Sequence, residues 1–224
     1  MSIETNEVIV VCGFARSGTS LTMQMLQAAG VDLFYDDKLP IAFETPKIFD
    51  LVIGESQWLS ECRGKAFKLL DPLDKPLPEG YCYKIIWLDR RVRDMAVSSA
   101  NLLKGLMRLD RKDVDLITSQ YMRDKPKTVS LLRSYVSANP ESEMLTVRFQ
   151  QLVEEPAVAA GAIASFLGID AARVEAMTRC VIPRSAAPMN NLLEPSLLHR
   201  NHTDSSGFSP QHPILSRPET HDQS

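Results

Sequence analysis

The sequence predicts an α/β fold, a three-layer sandwich in which helices cover both faces of a central parallel sheet. Three observations carry this. Val8-Ile9-Val10-Val11-Cys12 is an unbroken apolar, β-branched run, which suits a strand buried on both sides. A short polar turn holding Gly13 and Gly18 joins it directly to a helical stretch. Strand-like and helix-like segments then alternate along the chain, the order that a parallel sheet with crossover helices requires.

The first helix spans residues 20–29, with Leu21, Met25 and Ala28/Ala29 on one face and Gly30 as its stop. A second strand is predicted at 66–70 and ends at Asp71-Pro72; a third runs over 82–88. Val92, Met95, Ala96, Ser99, Leu102, Leu103 and Leu106 then recur at helical spacing and predict a helix. Residues 113–137 read as another helix, and 144–149 as a fourth strand. Pro156 opens a helix that closes at Gly168. Between the first helix and the second strand, residues 34–64 read as a loop with one helix, a lid or substrate-facing insertion. Residues 183–224 hold six of the fourteen prolines and all four histidines, with little periodicity. The division expected is an α/β domain over 1–182 and a Pro-rich irregular tail over 183–224.

Composition narrows the function classes. At 44% apolar and 24% charged, the chain is of the soluble globular type. A net charge of −3 implies no broad basic surface, so no nucleic-acid partner is expected and any anionic ligand must be held by a few local Lys or Arg residues. No apolar run is long enough to span a membrane, and the first residues lack the basic start of a secretory signal. Cys12, Cys62, Cys82 and Cys180 are widely spread, with no Cys-x-x-Cys pair. Neither a disulfide framework nor a metal site is expected, and a cytoplasmic location follows from thiols kept reduced.

The chemistry is concentrated in Gly13-Phe14-Ala15-Arg16-Ser17-Gly18-Thr19-Ser20. A strand, a glycine turn and a helix start form an anion nest: backbone N–H groups and the helix N-terminus face a phosphate, which Gly18 lets approach. Arg16, Ser17, Gly18, Thr19 and Ser20 are the binding candidates. The alternative is an ordinary strand-to-helix turn whose Ser and Thr cap the helix. The glycine spacing fits a Walker A turn, but Thr19-Ser20 stands where a P-loop NTPase needs Lys to reach the β/γ-phosphates. Here the cation is Arg16, displaced toward the end of a shorter 5′-anhydride.

This segment resembles the 5′-phosphosulfate loop of the sulfotransferase family, with Ala15 where the family commonly has Pro. The resemblance implies a P-loop NTPase-like sulfotransferase fold, with 3′-phosphoadenosine-5′-phosphosulfate as co-substrate and no metal. Residues 88–98 are similar to the family's 3′-phosphate segment, which makes Arg90 and Ser98, eight residues later on the next helix, the pair for that phosphate. An Arg fork from a strand end and a hydroxyl from a helix can converge on one dianion. Residues 145–156 resemble a third family segment, but Phe149 stands where a Tyr is usual. The C-terminal Arg-Lys-Gly of cytosolic animal members is absent; Arg184 or Arg200 are its possible substitutes.

The reaction implied is sulfuryl transfer to a hydroxyl or amine of a small-molecule or glycan acceptor. Arg16 is expected at the leaving group. Cytosolic animal members place a His two residues after a Lys at the second strand's end, but Leu70 occupies that place after Lys68. Ile41-Ala42-Phe43-Glu44 is similar to the Gly-Phe-x-Glu stretch of bacterial members, and makes Glu44 the candidate base. The alternatives are that Glu44 caps the helix beginning near Pro46, or that Asp71 or a tail His takes the proton. Lys68 is either a helper at the transferring group or an exposed strand end. Phe34, Tyr35, Phe49, Trp58 and Tyr121 are expected to line the acceptor pocket. Two other functions stay open: a P-loop kinase or NTPase with Asp89 holding Mg2+, and a non-catalytic nucleotide-binding protein on the same fold.

Overall fold

Among the described residues, five strands form one parallel sheet in the order β2-β3-β1-β4-β5, with β1 at the centre. They are β1 (Glu7–Gly13), β2 (Leu33–Phe34), β3 (Ala66–Leu70), β4 (Cys82–Asp89) and β5 (Glu143–Arg148). The helices are α1 (Thr19–Ala28), α2 (Val92–Lys104), α3 (Arg111–Ala138), α4 (Phe149–Glu154), α5 (Pro156–Leu167) and α6 (Val174–Arg179). This computed structural model describes residues 7–37, 42–104 and 111–182. The expected Pro-rich tail, with the four histidines, Arg184 and Arg200, lies outside the described residues, as does the last predicted turn of α2 beyond Lys104.

Strand β1 shows why the sheet is covered on both faces. Ile9 and Val11 pack in one core with Met23, Met25 and Leu26 of α1 and Ile163 and Leu167 of α5. Val8, Val10 and Cys12 pack in a second core with Trp58, Leu59, Met95 of α2 and Leu132 of α3. Alternate side chains of a strand point to opposite faces, and all five are fully buried. Each such Val or Ile contributes roughly 1.5–3 kcal/mol by leaving water. Nothing polar fits in the run, which is why it reads as a buried strand from sequence.

The register Gly13↔Leu70 on one side and Cys12↔Trp87 on the other brings the ends of β1, β3 and β4 to one edge. The chain turns from β1 toward β3 on one side and later toward β4 on the other. The crevice outside the carboxyl end of β1 is therefore a topological switch point, where α/β sheets take their ligands.

One strand is missed by the sequence reading and two local expectations are corrected. The short edge strand β2 escapes sequence reading because two residues carry no period. The insertion over 34–64 holds two 3-10 helices, Pro46–Ile53 and Gln57–Cys62, rather than one helix. Phe149 does not end a strand; it opens α4, and β5 stops at Arg148. No helix among the described residues is long and apolar enough to cross a membrane.

Candidate active site

The turn between β1 and α1 is built on two left-handed residues, Arg16 at φ 68° and Gly18 at φ 111°. Ser17 N–H donates to the Phe14 carbonyl at 3.1 Å and closes the loop. Gly18 is the N-cap of α1 and brings no side-chain cap, so the expected alternative of Ser and Thr merely capping the helix does not describe this turn. Left-handed residues within a short loop before a helix are the backbone form of an anion nest. Ser17 is fully buried, and its Oγ has no hydrogen-bond partner. A buried orphan hydroxyl in such a loop fits an anion that supplies the missing acceptor. A Cβ on Gly18 would stand 2.8 Å from Cδ2 of Phe149, so this position demands glycine for space as well as for φ.

Arg16, Ser98 and Arg90 meet here. Arg16 Nε donates to Ser98 Oγ at 3.1 Å, and an Arg90 terminal nitrogen donates to the Arg16 carbonyl at 2.8 Å. Arg90 and Ser98 thus converge on Arg16, coming from the end of β4 and the buried face of α2. The Arg90 guanidinium lies 4.0 Å from the centroid of the Phe149 ring. Phe149 is therefore more than a lost phenol. Its ring lies under the Arg90 guanidinium and against Gly18, a cation–π contact that suits guanidinium.

Lys68 and Glu44 form the other half. Lys68 is 3% exposed, which overturns the exposed-strand-end alternative. Its three N–H donors match three acceptors: Ser20 Oγ at 3.1 Å, the Ala42 carbonyl at 2.8 Å and Glu44 Oε1 at 2.8 Å. Burial holds the Lys68 ammonium below its ordinary pKa; Glu44 opposes that shift and Arg16 adds to it. Glu44 is not the helix cap, because Thr45 takes that role and accepts from Lys47 N–H at 3.4 Å. Phe43 is left-handed at φ 53° and buried against the core, edge-on to Tyr35. Asp36 N–H fixes the Glu44 carbonyl at 2.8 Å. A bulky left-handed residue is strained, and it is tolerated here beside a polar site. Lys68 thus ties Glu44 to the start of α1.

The family model for the sulfotransferase domain matches residues 6–192. The chain belongs to the sulfotransferase family. Among solved structures, this sulfotransferase-family chain is similar to mouse sulfotransferase SULT7A1 complexed with PAP, at 14% identity and a TM-score of 0.50, over 80% of this chain and 66% of that one. It is also similar to retinol dehydratase, solved with retinol and PAP and with androsterone and inactive cofactor PAP, at 17% identity and a TM-score of 0.45, over 78% of this chain and 64% of that one. The chain spans less than two thirds of the length of these proteins. No curated protein matches the sequence.

Other expected residues of this sulfotransferase-family site fall differently. Trp58 is 6% exposed and stacks on Phe34 at 5.6 Å within the core, so it does not line a pocket. Phe49 is 63% exposed. Tyr121 lies against Phe14 of the turn, centroids 5.0 Å apart. Asp89 pairs with Lys125 of α3, so the carboxylate that the kinase alternative reserves for Mg2+ already has a cation on it. Among the described residues, no group of three or more His, Cys, Asp or Glu side chains is arranged to hold a metal.

Asp71, at the end of β3, is left-handed at φ 50°, and its N–H donates to the Gly13 carbonyl at 3.1 Å. Its Oδ1 is buried with no hydrogen-bond partner, and burial pushes the carboxyl above its ordinary pKa. Between the ordinary and the raised value, the folded state keeps a proton that the unfolded state releases. Stability therefore falls as pH rises through that window, and the full penalty is present above it. Asn tolerates the left-handed backbone. Asp71→Asn is expected to melt higher than the parent at neutral pH, by about 1 kcal/mol, and to lose the advantage as pH falls toward about 4. Melting curves across that range check the sign.

Proposed function

We propose that this protein transfers the sulfuryl group of 3′-phosphoadenosine-5′-phosphosulfate to a hydroxyl or amine of a small-molecule or glycan acceptor. The observation that carries the proposal is the convergence of Arg16, Ser98 and Arg90 at one nest, with the orphaned Ser17 hydroxyl inside it. The catalytic unit is residues 1–182, on a P-loop-like version of the α/β sheet, with no metal in the reaction. Its four cysteines are free thiols, in keeping with a cytoplasmic setting.

The co-substrate supplies a sulfuryl group on a phosphate leaving group; the acceptor's oxygen or nitrogen bonds to sulfur as the sulfur–oxygen bond to phosphate breaks. Glu44 takes the proton that the acceptor loses. Arg16, the amides of residues 16 and 18–20 and the hydroxyls of Ser17, Thr19 and Ser20 stabilise the negative charge that gathers on the departing phosphate oxygen. Lys68 orients Glu44 against the nest, 2.8 Å from its Oε1. Arg90 and Ser98 hold the 3′-phosphate once Arg16 releases Ser98. The positioning of groups, rather than covalent chemistry by the protein, supplies the acceleration.

The test is thermal. Adenosine 3′,5′-bisphosphate, at one hundred times its dissociation constant and without Mg2+, is expected to stabilise the protein by about 2.7 kcal/mol. That is roughly 5–10 °C for a chain of this size. Arg16→Ala is expected to remove the shift, and Arg90→Ala to cut it back to what the 5′ end alone supports. Unchanged melting at millimolar nucleotide would overturn the proposal.

A further inference from the structure

Arg90 does not aim itself. Where its guanidinium can reach depends on where its backbone is held, and a group that holds that backbone comes from a distant helix. Lys125 of α3 donates from Nζ to the Arg90 carbonyl at 3.0 Å and pairs with the carboxylate of Asp89, the last residue of β4. Lys125 is 24% exposed and Asp89 35%, so the pair is partly withdrawn from water. Pro126, the next residue, lies inside α3 and removes one N–H from the helix ladder beside Lys125. From this anchored strand end, the Arg90 guanidinium reaches over the Phe149 ring to the Arg16 carbonyl.

We infer that Lys125, through Asp89 and the Arg90 carbonyl, is the positioning residue that gives this site its selectivity for a 3′-phosphorylated nucleotide. The inference rests on the nucleotide assignment proposed above and deepens it. The nest at residues 13–20 grips the 5′ end, which adenosine 5′-monophosphate and adenosine 3′,5′-bisphosphate share. Only the 3′-phosphate needs the Arg90 arm, so only its recognition passes through Lys125. With its charge shared between Asp89 and a carbonyl, Lys125 acts on the arm and not on the phosphate itself.

Dissociation constants for both nucleotides, by calorimetry without Mg2+, test this. Lys125→Met is expected to weaken the bisphosphate about tenfold and leave the monophosphate unchanged, so the preference between them falls by the same factor. Lys125→Arg is expected to restore part of it. In an Arg90→Ala background, Lys125→Met is expected to add no further loss, because the arm it positions is gone. Asp89→Asn, should Lys125→Met melt too low to assay, is expected to move the preference in the same direction. Equal weakening of both nucleotides, an unchanged preference, or additive losses in the double variant would overturn the inference. A parent protein with no preference for the bisphosphate is a separate result, and it overturns the nucleotide assignment itself.

Discussion

Glu44→Gln is expected to lower turnover by about 10²–10⁴-fold while nucleotide affinity stays within about twofold. Gln keeps the length of Glu and an oxygen for Lys68, so the 2.8 Å contact that ties this residue to β3 and α1 survives. What the amide cannot do is accept the proton of an acceptor hydroxyl. The loss corresponds to about 3–5 kcal/mol of transition-state stabilisation. It should fall on kcat rather than on nucleotide binding, because Glu44 stands beyond the anion nest. Release of the bisphosphate from the sulfated nucleotide, in the presence of acceptor, measures turnover, and the thermal shift measures binding. If Glu44→Gln turns over normally and Asp71→Asn does not, the proton goes to Asp71 instead. Asp71 is a second carboxylate at this sheet edge, and its buried Oδ1 is left unbonded.

Gly18→Ala is expected to destabilise the fold by about 2–4 kcal/mol, or roughly 5–15 °C in melting temperature. Two penalties add. At φ 111°, an L-residue sits where its Cβ strains the backbone, and that same Cβ would stand 2.8 Å from Phe149 and 3.3 Å from Leu152 of α4. The second penalty is relievable and the first is not. A double variant with Phe149→Leu should therefore lose less than the sum of the two single changes. Full additivity would show that backbone strain alone accounts for the loss. The nucleotide shift should vanish in either case, because the loop that makes the nest is the loop being pushed.

The turn, its arginine and the Arg90–Ser98 pair that meets it were legible because each is local. Gly13 to Ser20 is one contiguous segment after an apolar run, and Arg90 and Ser98 lie on a strand end and the helix that follows it. The same locality explains the four predicted strands. What escaped has no local signal. Strand β2 is two residues long, and its pairing Leu33↔Ala66 exists only because β3 returns beside it. Trp58, in a polar stretch, reads as a pocket aromatic, but it is buried, stacked on Phe34 and edge-on to Phe67. Phe149 reads as a missing hydroxyl, yet its face carries the Arg90 plane. Lys125 sits in a long helix among many charges, and nothing in its neighbours marks it.

The order of residues in the chain determined the parallel sheet, its buried first strand and the glycine turn that follows it, since short-range steric rules and a buried β-branched run leave few other outcomes. Only the tertiary structure decided which polar and charged groups face each other. It set Lys68 on Glu44 across 24 positions, Arg16 on Ser98 across 82 and Lys125 on Arg90, just past the end of β4, across 35. Electrostatic partners depend on distance in space and on exclusion of water, and neither is written in sequence spacing once the chain has crossed the sheet.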